Sequence, residues 1–155
     1  MLRWVGLSLL VLVLDQLSKL WIDQHFELHE SLNLLPVFNL TYVRNTGAAF
    51  SLLGDAGGMQ RWLFMGLALL ASGVLARMLW QLEAGRYWQA VALSLLLGGA
   101  VGNLIDRIVY GYVIDFFDFY LGAWHFAVFN VADSAITVGV AMLLIDAFFF
   151  GEETA

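Results

Sequence analysis

The hydrophobic pattern divides this chain into four long apolar runs separated by polar intervals of unequal length. Residues 2–22 begin with Arg3 and carry an apolar stretch from Trp4 to Leu14. Asp15-Gln16 follows where a cleaved leader would need small residues, so the run predicts a retained first membrane-spanning helix. A second span is predicted over 62–80, with Trp62 and Trp80 at its ends as in an interfacial aromatic belt. The third, 88–105, is rich in leucine and ends in Gly98-Gly99-Ala100-Val101-Gly102-Asn103. Small residues at that spacing let another helix backbone approach closely. The fourth run covers 131–150 and is followed by a short polar tail.

Two segments, 23–60 and 106–130, do not span. The first holds the only proline, Pro36. From 37 to 43 apolar and polar residues tend to alternate, which predicts a strand. Asn45-Thr46-Gly47 reads as a turn, 48–53 as a return strand, and Gly54 to Gly58 as a flexible exit. A small sheet on the membrane surface fits this pattern. Its strand and turn offer backbone hydrogen bonds to an extended peptide. In the second segment, nine of the twenty residues from Tyr110 to Phe129 are Phe, Tyr or Trp. Such a stretch belongs at headgroup level, and the pattern leaves helix and extended chain both open. From Tyr110 to Trp124 it is a candidate cover that excludes water from a site. The expected fold is one mainly α, integral-membrane domain over 1–155, with four transmembrane helices, a small sheet and an aromatic-rich segment outside the spans.

Composition agrees. Hydrophobic residues make up 61% and charged residues 13%, against roughly 25% charged in soluble domains. The absence of Cys excludes disulfides, thiolate catalysis, Cys-ligated metals and lipidation on the chain's own cysteine. A net charge of −6 offers no basic face for nucleic acid. Four spans put both termini on one side. Arg3, Arg77 and Arg86 lie on that side, and Lys19, Arg44, Arg61 and Arg107 on the other. Charge counting favours cytoplasmic termini only if Lys19 and Arg107, which sit in polar clusters, are discounted.

Ionisable groups in apolar surroundings carry the chemical signal, because an intramembrane Asp costs about 2.5–3.5 kcal/mol on insertion scales. Asp15 and Lys19 are i and i+4 and can pair on one helix face, either as an interfacial ion pair or as part of a site. Asn103, Asp106 and Arg107 place an amide, a carboxylate and a guanidinium on one face beside the small residues. Asn130 and Asp133 open the fourth span at i and i+3; capping explains Asn130 well and Asp133 less well. Asp115 lies among Val113, Ile114, Phe116 and Phe117, and by composition Asp118 competes with it. Asp115 and Asp133 bracket the aromatic segment and suggest a pair. Two carboxylates close together share a proton, so one takes a proton from water while the other donates to a carbonyl oxygen. Other chemistries are thinner. His25 and His29 lack a third zinc ligand. Ser18 and Ser134 lack a positioned base, and no phosphate-cradling loop is present. Intramembrane Asp, Lys and Arg also suit a proton-coupled transporter or channel, although four spans without paired half-helices fit that poorly.

Five blocks in order make the chain resemble the lipoprotein signal peptidases of bacteria, signal peptidase II. They are Asp15-Gln16-Leu17-Ser18-Lys19, Asn45-Thr46-Gly47-Ala48-Ala49-Phe50, Gly98 through Arg107, Val113-Ile114-Asp115-Phe116, and Phe129-Asn130-Val131-Ala132-Asp133. The resemblance implies an aspartic endopeptidase that cleaves prolipoproteins just before a diacylglyceryl-modified cysteine. It assigns the dyad to Asp115 and Asp133, not Asp118. It gives supporting or substrate-binding roles to Asp15, Lys19, Asn45, Gly47, Asn103, Asp106, Arg107 and Asn130. It also implies no metal or cofactor, a monomer among membrane lipids, sensitivity to globomycin, and an inner-membrane location. The termini would be cytoplasmic and the site, with both non-spanning segments, would face the periplasm.

Overall fold

The computed structural model describes residues 2–47 and 59–149. The expected return strand at 48–53, the glycine-rich exit and the polar tail lie outside the described residues. Among the described residues, four helices are long and apolar enough to cross a membrane: α1 (Leu2–His25), α2 (Met59–Gln81), α3 (Tyr87–Val109) and α4 (Val131–Phe149). Their ends extend or retract by a few residues from the hydropathy limits, because polar side chains such as Asp106 and Arg107 remain helical when their partners lie within the bundle.

α3 is the central helix and packs against α1, α2 and α4. Its small residues allow this. A Cβ at Gly98 would lie 2.6 Å from the Ser8 carbonyl oxygen of α1, and one at Gly99 would lie 2.5 Å from the Ala132 carbonyl oxygen of α4. The backbones therefore touch where any side chain would separate them. α2 turns most of its surface outward, with Leu63, Leu67, Leu69, Leu70 and Val74 exposed, as a lipid-facing helix does.

One end of the bundle carries a four-stranded antiparallel sheet in the order β1 (Ser31–Leu35), β2 (Phe38–Asn45), β3 (Val113–Leu121), β4 (Trp124–His125). Pro36 and Val37 form the turn between β1 and β2. In β2 and β3 the register pairs Val43 with Asp115 and Asn45 with Val113. A shift between Leu40 and Val43 bends the strand. Ile22, Tyr42, Ile114 and Phe116 form a buried cluster that fastens the sheet to the end of α1.

Two expectations change here. The aromatic segment is mostly a strand, and its Phe116 and Phe117 are not free to act as a cover: Phe116 is buried in the cluster with Tyr42, and Phe117 packs against it. Backbone pairing with β2 and Phe129 fixes this segment in place. The stretch from Phe38 to Thr41 has β1 on one side and β3 on the other, so it has no free edge for a peptide.

Candidate active site

The polar residues of the three helical clusters meet where the ends of α1 and α3 adjoin the start of α4. Lys19 Nζ lies 2.8 Å from Asp15 Oδ2 and 3.0 Å from Asp106 Oδ2, and all three side chains are buried. Helical spacing puts Asp15 one turn before Lys19. Gly102 makes room for it: a Cβ there would lie 2.5 Å from Asp15 Oδ2. The other Asp15 oxygen accepts the Ala132 N–H at 2.9 Å, in the first turn of α4, where the helix dipole favours a negative group. Asp106 Oδ2 accepts the Ile114 N–H at 3.1 Å and so holds the start of β3. This is a network of paired and hydrogen-bonded charges, not an interfacial ion pair.

Lys19 also donates to Asn103 Oδ1 at 2.9 Å. That fixes the Asn103 amide with its nitrogen toward Asp133 Oδ1, at 2.8 Å. Asn130 completes the arrangement. Its Oδ1 accepts the Asp133 N–H at 2.9 Å, while its own N–H donates to Asp133 Oδ2 at 3.3 Å. This is a reciprocal cap of the capping-box kind. Capping uses only the amide oxygen. The Asn130 amide nitrogen donates to Asp115 Oδ1 at 2.7 Å. The Asn130 side chain therefore starts α4 and holds the Asp115 carboxylate, while the Asn130 backbone N–H holds that of Asp133.

Asp115 Oδ2 accepts from Asn45 Nδ2 at 3.0 Å, and Asn45 Oδ1 accepts the Gly47 N–H at 3.0 Å, making the expected turn. Arg107 donates to the Gly47 carbonyl at 3.3 Å and to its own helix at Asn103 O, 3.2 Å. The ten residues singled out from sequence thus form one connected set. Asp115, Asp133, Asn45, Asn103 and Arg107 all line a cavity of about 580 Å³, whose apolar wall comes from 126–129 and from Ile136 and Val138 of α4. A second recess, lined by Arg44 and Trp124, shares Asn45 and Asp115 with it. The cover assigned from sequence to 110–124 is thus supplied in part by 126–129.

Burial, and next the charge of Asp133, push the Asp115 carboxyl up to about 7, while hydrogen bonds from Asn45 and Asn130 pull the other way. Near neutral pH Asp115 therefore gains and loses its proton readily, which equips it to exchange one beside Asp133 in a reaction.

Asp118 is a structural group. It is buried on the sheet, accepts from Thr41 Oγ1 at 2.9 Å, and pairs with His125 at 2.8 Å. Gln16 was missed from sequence. It donates to Asp106 Oδ1 at 2.9 Å, to Asp15 Oδ2 at 3.2 Å and to the Gly102 carbonyl at 3.2 Å. The available signal was a polar side chain in the same turn as Asp15. Asp23, Tyr42 and Arg44 form a further cluster: Tyr42 OH donates to Asp23, and Arg44 Nε donates to Tyr42 OH at 2.9 Å. His25 ends α1 and His29 lies in a turn at φ 69°, so they do not share a helix face.

Four apolar helices closed at one end over a cavity with two coupled carboxylates define the class as a membrane enzyme. Comparison with known proteins gives the family. Residues 7–149 match the family model described as Signal peptidase (SPase) II. The lipoprotein signal peptidase of Shewanella halifaxensis is 54% identical over 153 residues, covering 98% of this chain and 89% of that protein. That of Actinobacillus succinogenes is 51% identical over 154 residues, covering 99% and 94%. A solved structure described as a bacterial membrane enzyme, determined by the in meso method at 2.3 Å resolution, superposes with a TM-score of 0.88 at 29% identity, covering 100% of this chain and 93% of that one. The chain belongs to the signal peptidase II family, the multi-pass membrane aspartic endopeptidases that remove signal peptides from prolipoproteins.

Proposed function

We propose that Asp115 and Asp133 are the catalytic dyad. The observation that carries this is Asn130, whose amide nitrogen holds Asp115 while its oxygen and backbone N–H hold Asp133 in the same cavity. The ionised member takes a proton from water, and the resulting hydroxide attacks the scissile carbonyl carbon. The protonated member gives its proton to the carbonyl oxygen. When the tetrahedral intermediate collapses, the C–N bond breaks, the amine nitrogen takes the proton that came from water, and a hydroxyl of the intermediate returns its proton to the other carboxylate as C=O re-forms, which leaves one proton on the pair as before. Asp15, Lys19, Asp106 and Asn103 keep Asp133 and the start of α4 in place. Asn45 and Gly47 fix Asp115 and the turn beside it, and Arg107 orients carbonyl or lipid ester and phosphate oxygens of the substrate.

Cleavage just before the diacylglyceryl-modified cysteine fits a cavity with polar residues at one end and α4 side chains along its apolar wall. We place the protein as a monomer in the bacterial inner membrane, with cytoplasmic termini and the sheet and cavity toward the periplasm. The test is Asp115→Asn and Asp133→Asn, each purified and assayed on a lipid-modified prolipoprotein. Each is expected to lose at least about a thousandfold in kcat with an unchanged unfolding midpoint. Near-normal cleavage by either folded variant would overturn the dyad.

A further inference from the structure

Among the described residues α2 contributes none to the carboxylate network, yet two of its side chains converge on Arg107. Arg61 Nε donates to the Arg107 carbonyl at 3.2 Å, and its Nη2 donates to the Ile108 carbonyl at 3.0 Å. These carbonyls belong to the last turn of α3, where no further helical N–H reaches them. One guanidinium satisfies both and complements the negative end of the helix. The chain leaves room for it at Gly111, where φ is +83° and a Cβ would lie 3.1 Å from Arg61 Nη1. Phe64, one turn beyond Arg61, places its ring 5.7 Å from Arg107 Cζ. The Arg107 main chain is thus gripped and its guanidinium backed by an aromatic face. Its own donors go to Asn103 O and Gly47 O. Among the described residues it makes no ion pair with Asp115 or Asp133, although all three line one cavity.

We propose that α2 holds the Arg107 guanidinium clear of the two carboxylates, with Arg61 and Phe64 as positioning residues, so that Arg107 stays available to the substrate. This rests on the reading that Arg107 orients substrate oxygens. Without the grip, the guanidinium is free to fall onto the carboxylates and is lost to substrate binding.

The experiment compares Arg61→Gln and Phe64→Leu, alone and combined with Arg107→Gln, in full-length purified protein. Alone, each is expected to raise KM for a prolipoprotein about three- to tenfold, with kcat changed less than about twofold. On the Arg107→Gln background neither is expected to add a further change, because both act through the same side chain. Arg61→Lys should rescue in part, since one ammonium reaches one carbonyl where the guanidinium fork reaches two. Phenylglyoxal labelling of Arg107, followed by mass spectrometry, supplies a readout that does not depend on turnover. Labelling is expected to fall several-fold in both single variants, because a guanidinium paired with carboxylates holds its proton more tightly and reacts less. Unchanged labelling, or KM effects that persist in full on the Arg107→Gln background, overturns the proposal. Reduced labelling with a normal KM for Arg107→Gln itself would keep the positioning role and reject the substrate role of Arg107. If Arg61→Gln fails to fold, Phe64→Leu carries the same test, because it removes only the ring face.

Discussion

Lys19→Met removes one positive charge from a fully packed site while keeping a side chain of similar length. The Lys19 side chain is 2% exposed, and the carboxylates it serves, Asp15 and Asp106, are 0% and 1% exposed. Removing one partner from a buried ion pair costs about 3–5 kcal/mol, mostly because the remaining charge is left uncompensated. Here two carboxylates lose their cation together, so a loss near the upper end, about 4–5 kcal/mol, is expected. The effect should reach the chemistry through Asn103. Its Oδ1 loses the Lys19 donor at 2.9 Å and keeps only the longer contact from Asn130 at 3.1 Å. The Asn103 amide that donates to Asp133 is then free to turn, and kcat should fall about ten- to a hundredfold. Unfolding in mixed detergent micelles measures the first effect, and cleavage of a prolipoprotein at saturating concentration measures the second. A second change separates charge from shape. Asp15→Asn keeps an acceptor for the Ala132 N–H but removes one buried negative charge. Added to Lys19→Met, it should recover about 1–2 kcal/mol. A Lys19→Met protein within about 1 kcal/mol of the parent, with unchanged kcat, would refute the assignment of Lys19 as the charge that organises the site.

Further outcomes are expected. Asp115 is held up to about 7 by burial and by Asp133, so kcat should fall above that pH, about tenfold per unit once the last shared proton is lost. Between the ordinary carboxylate value and about 7 the folded chain holds a proton that the unfolded chain releases, so stability should also decline as pH rises through this window; a pH–rate profile and unfolding midpoints check both. Gly99→Ala would put a methyl 2.5 Å from the Ala132 carbonyl oxygen and displace the first turn of α4; a loss of about 1–3 kcal/mol with reduced cleavage is expected. Gly66→Ala, which meets nothing within 4 Å, should be neutral or slightly stabilising in the same unfolding assay. Asp118→Ala should lower stability by about 1 kcal/mol through the lost bonds to Thr41 and His125, while kcat at saturating substrate stays within about twofold of the parent.

What the sequence made legible follows the helical repeat. Asp15 with Lys19, Asn103 with Asp106 and Arg107, and Asn130 with Asp133 could be grouped because i+3 and i+4 spacing puts side chains on one face. The same rule does not reach Gln16, which is adjacent to Asp15 and so not on its i+3 or i+4 face. Its long amide reaches across to α3, which spacing along one helix cannot reveal. The conformation of β3 was undecided because Val113-Ile114-Asp115-Phe116-Phe117 is buried or half-buried on both faces, so it has no alternation to read. β1 was missed for the opposite reason: all five of its residues are exposed, so burial imposes little pattern on them. Asp115 and Asp118 could be told apart only by a family pattern. Their difference lies in partners from other strands and helices, Asn45 and Asn130 for one and Thr41 and His125 for the other.

The contact between Asp15 Oδ1 and the Ala132 N–H joins the first helix of the chain to the last, across 117 positions of sequence. A ribosome delivers these helices at the two ends of synthesis. Until α4 enters the bilayer beside α1, Asp115 lacks Asn130, and Asp133 has not yet met Asn103. A chain that stalls after three helices therefore carries a lone carboxylate and no means of dividing a proton between two. On the proposed assignment of Asp115 and Asp133, hydrolysis therefore waits on completion of the fold itself.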